Sequence, residues 1–158
     1  MIDIKKIHIE IFKALSSDSE LLSLLEIDSS LSGNDLLSAL RLQIIDNPSP
    51  DDLLNNYATR ICIYESNCST NNTEHIETGL LCIDIHCTQD KNNIDRRLLK
   101  VAQRIVEVLD SEERKKQSKQ PLKVGLDGLQ LYRRNFSTSG YSTGWNKYSI
   151  YFGYKFFK

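Results

Sequence analysis

Apolar residues fall along this chain in two rhythms. Ile4, Ile7, Ile11 and Leu15 recur at spacings of three and four, which predicts an amphipathic helix with one buried stripe. Ser16, Ser17 and Asp18 interrupt it. Ser17 with Glu20 has the spacing of a capping box, opening a second short helix that carries Leu21, Leu22, Leu24 and Leu25. Ser29 to Asp35 is turn-rich, and Leu36 to Ile45 suits a short helical or irregular segment. Pro48 and Pro50 then forbid a continuing helix or a central strand through 46–52.

From residue 57 the rhythm becomes alternation. Thr59 to Tyr64 places Ile61 and Ile63 on one face of a strand. Leu80 to Thr88 places Leu81, Ile83, Ile85 and Cys87 on one face of another. Its opposite face carries Cys82, Asp84 and His86, a polar set that predicts only partial cover. Residues 65–78 between the strands are rich in Ser, Asn and Thr and predict a long exposed loop.

The helical period returns with Ile94, Leu98, Val101, Ile105 and Val108, predicting the chain's best helix over 94–109, with an N-cap among Asp90 to Asn93. A charged stretch follows and closes at Pro121. Val124 to Arg134 predicts a strand with an Asp127-Gly128 turn or bulge, and Lys147 to Phe156 predicts another. In the latter Tyr148, Ile150, Phe152, Tyr154 and Phe156 share a face. Asn135 to Gly144 reads as a Ser/Thr/Gly-rich hairpin connection or loop. The expected fold is α+β in one domain over 1–158: a mostly antiparallel four-stranded sheet, one long helix across it, and N-terminal helices.

Composition narrows the classes. A chain of 158 residues buries a self-sufficient core without staples. A mean hydropathy of −0.38 and short apolar runs predict no membrane-spanning helix, and no signal peptide is expected at the N-terminus. The net charge of −1 hides two unlike halves. Residues 1–90 hold 5 basic and 15 acidic side chains, whereas residues 91–158 hold 15 and 6. Ten of the 13 aromatics lie beyond residue 131.

Candidate chemistry is sparse. Cys62, Cys68, His75, Cys82, His86 and Cys87 fall within 26 residues, but Cys82 and Cys87 are five apart on an alternating strand and point to opposite faces. They lack the tight paired spacing of a zinc knuckle, and small buried thiols are the better reading. No nucleophile elbow or phosphate loop is present, so no catalytic, metal or cofactor-binding residue is assigned and no enzyme activity is expected. Arg96, Arg97, Lys100 and Arg104 stripe the predicted long helix as interface candidates, suited to nucleic acid or to an acidic protein neighbour. An acidic half and a basic half also suit head-to-tail contact between identical subunits.

Several stretches resemble the tail terminator and tail completion proteins of long-tailed bacteriophages. These are Ile4-x-x-Ile7-x-x-x-Ile11-x-x-x-Leu15 with Asp18-x-x-Leu21, then Arg60-Ile-Cys-Ile-Tyr64, Leu80-Leu-Cys-Ile-Asp-Ile85 and the amphipathic helix after it. Gly140-Tyr141 and Tyr148-Ser-Ile-Tyr-Phe-Gly-Tyr154 complete the set, whereas residues 28–56 form a longer Leu-rich, Pro-interrupted stretch than that pattern has. The resemblance implies a structural virion protein, made in the host cytoplasm, that forms a hexameric ring at the head-proximal end of the tail. Its implied partners are further copies of itself, the tail tube protein and the head connector, with DNA passing through the lumen and no membrane contact. A neck or head-completion adaptor of the same fold, or a small nucleic-acid-binding domain, is the alternative. Loops 65–78 and 135–144 are the expected tube- or connector-facing surfaces.

Overall fold

The computed structural model describes residues 4–47, 59–65, 76–124, 129–130, 132–142 and 145–157. The chain begins with α1 (Ile4–Ser16), α2 (Ser19–Leu24) and α3 (Gly33–Gln43), which runs directly into β1 (Ile44–Ile45). Strands β2 (Thr59–Glu65) and β3 (Ile76–Thr88) follow, then α4 (Gln89–Asp95), α5 (Arg97–Leu109) and α6 (Ser111–Lys116). The chain finishes with β4 (Lys123–Val124), β5 (Leu129–Gln130), β6 (Tyr132–Ser142) and β7 (Trp145–Phe157).

Five strands form one sheet in the order β1-β2-β3-β7-β6, and β4 pairs with β5 in a separate two-stranded ladder. The four long strands are antiparallel to their neighbours, as the alternation predicts, and β1 adds a two-residue parallel edge. The fold is α+β. Asn135 to Gly144 departs from expectation: through Ser142 it belongs to β6, pairing with β7 across two register shifts. Backbone amides pair whatever the side chains are, so a Ser/Thr/Gly-rich segment becomes a strand where a long neighbour offers its edge. The expected loop at 65–78 is likewise shorter, because β2 runs to Glu65 and β3 begins at Ile76. Residues 66–75 lie outside the described residues, as do 48–58 with most of the proline-rich turn.

The core lies between α1, α2 and α5 and one face of the sheet. Ile7, Ile11 and Leu15 of α1 are fully buried, as are Ile61, Ile63, Leu81, Ile83, Ile85, Ile150 and Phe152 from the strands. Register explains their meeting: Ile61 sits opposite Ile85, and Ile83 lies between Ile63 and Ile150. Each such side chain contributes roughly 1.5–3 kcal/mol through burial. Gly79 is required by a close approach, since a Cβ there would run into the ring of Tyr154 on β7.

Two local devices differ from the sequence expectation. The N-cap of α2 is Asp18, whose carboxylate accepts from the Leu21 amide at 2.9 Å. Ser17 instead donates to the Lys13 carbonyl at 2.6 Å and finishes α1. The single long helix is in fact two helices. Arg96 adopts φ 57, ψ 40, a left-handed conformation that costs a non-glycine residue about 1–2 kcal/mol. The Asn92 carbonyl accepts from the Arg96 amide at 2.9 Å and its side chain accepts from Leu98 at 3.1 Å, closing α4 and opening α5. Leu98, Val101, Ala102, Ile105 and Val106 line the buried side of α5, while Ile94 stands 81% exposed.

Candidate interaction surface

The four basic residues singled out from the sequence divide into two pairs. Arg97 donates to Asp95 at 3.0 and 2.7 Å and to the Leu24 carbonyl at 2.6 Å, with Glu26 at 3.6 Å. It ties α5 to the end of α2. Arg104 grips Asp18 with two hydrogen bonds of 2.8 and 2.6 Å and also reaches Glu20 at 2.9 Å and Glu107 at 3.0 Å. That pairing holds the Asp18 carboxyl below its ordinary range and raises the Arg104 guanidinium. Both arginines are internal braces. Arg96 and Lys100 are exposed, and among the described residues their side chains make no ion pair or hydrogen bond. With Leu99 they border a shallow groove of about 500 Å³ that also holds Glu20 and Glu107, so the surface is mixed in charge.

The charge asymmetry along the chain is partly resolved inside one protomer. Lys91 and Arg97 meet Glu26, Arg104 meets Asp18 and Glu20, and Lys147 lies 3.7 Å from Asp84. Each pair joins the basic half to the acidic half.

A second concavity lies where α1, α3 and β1 meet, at the edge of the sheet. Phe12, Leu37 and Ile44 wall a groove of about 710 Å³, with Ile9 at its lip and Arg41, Lys13 and Asp46 around it. Ile9 is 41% exposed. Arg41 is exposed and makes no ion pair or hydrogen bond among the described residues. Beside the groove, His8 of α1 lies 3.1 Å from Asp46 and 3.5 Å from Glu65, with Tyr154 donating to Glu65 at 2.8 Å. The hydrogen bond to Glu65, helped by Asp46, raises the imidazole above its ordinary value against the effect of burial.

The face of the sheet away from the helices corrects the expectation of partial cover. Cys82, Asp84 and His86 are at most 1% exposed, and the register sets them beside Arg60, Cys62 and Tyr64 of β2 and Lys147, Ser149 and Tyr151 of β7. Asp84 is the hub. It accepts from Ser149 at 2.5 Å, Tyr64 at 2.9 Å and Cys82 at 3.3 Å. Burial pushes the Cys62 and Cys82 thiols up to about 12 and brings His86 down to about 4. The two thiols and the imidazole are therefore neutral at pH 7. Cys82 and Cys87 do lie on opposite faces, and among the described residues no three His, Cys, Asp or Glu side chains form a metal-binding group. Cys68 and His75 lie outside the described residues.

Sequence reasoning passed over the α1–α3 groove and the outward turn at Ile94. Asn92, a capping residue six positions before Leu98, was the available signal for the break. The sequence matches the family model described as YomW over residues 10–149. The chain belongs to the YomW family. Among solved structures, this YomW-family chain is similar to a chain in the virion of a native gene transfer agent particle, with a TM-score of 0.64 and 9% identity. The alignment covers 98% of this chain and 96% of that one, so the two share a fold from end to end. A second solved chain aligns at a TM-score of 0.44 and 12% identity over 74% of this chain and 79% of its own, too loosely to bear on the fold. No curated protein sequence matches. Among the described residues no helix is long and apolar enough to cross a membrane.

Proposed function

We propose that this YomW-family chain is a structural virion protein, without enzymatic activity, that assembles as a ring at the head-proximal end of a tail. The observation that carries the reading is the end-to-end likeness in fold to a chain of the gene transfer agent virion. The resemblance of the helix-strand-strand-helix-strand layout to tail terminators supports the finer placement, with six copies, the tail tube protein and the head connector as partners. In such a ring Arg96 and Lys100, rather than the internally braced Arg97 and Arg104, are the cations available to an acidic neighbour or to DNA in the lumen. The polar groups on the far sheet face serve the fold, because Asp84 is already saturated by its own chain.

The test is tube capping. Purified chain added to polymerising tail tube subunits from the same genome is expected to shorten the tubes and leave ring-shaped density at one end in electron micrographs. Tubes of unchanged length with bare ends overturn the terminator reading. Binding to the connector with unchanged tubes would move the chain to the neck.

A further inference from the structure

The strained residue at the α4–α5 junction has a consequence at the surface. In an unbroken helix Ile94 would continue the stripe of Leu98, Val101 and Ile105 into the core. The left-handed Arg96 turns it outward instead, to 81% exposure. Backbone strain that holds a large apolar side chain in solvent is a feature to explain by function. Asp90 stands one turn before Ile94, exposed, and makes no ion pair or hydrogen bond among the described residues. Together they form a small apolar knob with an uncommitted negative charge beside it.

The α1–α3–β1 groove has the complementary character. Its walls are Phe12, Leu37 and Ile44, its lip is the half-exposed Ile9, and its rim carries Arg41, a positive charge equally uncommitted among the described residues. Knob and groove sit on different parts of the protomer. The groove is at the β1 edge of the sheet, while α4 packs against β3 and β7. A contact between two unlike surfaces of the same chain is heterologous, and its repetition about an axis closes a ring.

We propose that Ile94 of one copy docks into the α1–α3–β1 groove of a second copy, with Asp90 facing Arg41. The inference rests on the ring reading above and gives it a specific contact. Bulk attraction between an acidic and a basic half is not needed, since those charges are partly paired within each protomer.

Light scattering after gel filtration, over a concentration series, tests it with the full chain and four variants: Ile94→Asp, Arg41→Asp, Asp90→Arg, and Arg41→Asp combined with Asp90→Arg. All three positions are exposed, so far-UV circular dichroism and melting curves should match wild type. Wild type is expected to assemble with rising concentration. Each single variant should need at least tenfold more protein for the same assembly, and the double charge swap should recover most of the loss. Single variants that assemble like wild type overturn this interface while leaving a ring intact, as would a groove filled by the chain's own residues or by another virion protein. A double variant as weak as the singles overturns the Asp90–Arg41 pairing. A wild type monomeric at every concentration overturns the self-docking proposal, and the tube-capping result then decides the ring reading by itself.

Discussion

Residues 81–87 of β3 are closed to solvent on both faces of the sheet, but the chemistry of those faces is opposite. Toward α1 and α5, Ile61, Ile63, Ile83, Ile85, Ile150 and Phe152 interlock as side chains without polar atoms. Away from the helices, Arg60, His86 and Lys147 form one cross-strand row, and Cys62, Asp84 and Ser149 the next. The apolar face gains stability in proportion to area and tolerates volume-conserving exchange. The polar face holds only while each buried group has a partner, because an orphaned charge in a low-dielectric site is costly. Burial alone therefore does not say how a face is held together.

The apolar face is most sensitive at Phe152. Phe152→Ala leaves a cavity in the apolar face and is expected to cost about 3–5 kcal/mol in urea unfolding. Next in size is Asp84→Ala, which strips Ser149, Tyr64 and Cys82 of an acceptor and removes a carboxylate 3.7 Å from Lys147 at once. A loss of about 3 kcal/mol is expected. A loss below about 1 kcal/mol would mean that the polar face is incidental to stability.

Smaller, and dependent on pH, are the two histidines among the described residues, one at each face. His86 is held neutral, with its value lowered from 6.5 to about 4, so in acid the unfolded chain binds a proton that the folded chain refuses. Stability should fall as pH drops through that window, by at most about 1.4 kcal/mol per pH unit, and His86→Gln should flatten the acid limb of a melting-temperature profile. His8 works in the other sense. Its value is raised by Glu65 and Asp46, so its contribution is complete below the ordinary imidazole range and is lost as pH rises through the raised value. The effect should be below about 1 kcal/mol and should vanish in His8→Gln, whose melting temperature would no longer decline on the alkaline side. A His86→Gln profile as steep in acid as wild type would show that other groups govern that limb.

Legibility followed the range of the interactions. The stripe of Ile7, Ile11 and Leu15 was readable because a helix repeats over four residues. The alternation of β3 and β7 was readable because a strand repeats over two. The strand character of β6 was not, since its partner β7 supplies the pairing that its own composition does not announce. The candidate surface was half legible. Arg96, Arg97, Lys100 and Arg104 share a spacing in the sequence, but Glu26 and Asp18, more than 70 positions away, commit Arg97 and Arg104 to the fold. The groove had no linear signature, because its walls come from three separate elements.

What the chain's own order of residues determined was the α+β class, the helical stripe, the two apolar strand faces and the unequal charge of its halves. These follow from local periodicity and from counting, and neither needs a neighbour in space. The tertiary structure alone decided which charges are neutralised, that the polar face of β3 is sealed, and that Ile94 turns to solvent beside Asp90. Those outcomes depend on partners tens of residues away and on one left-handed residue at a helix junction. Contacts of that kind come into being only when the chain closes on itself.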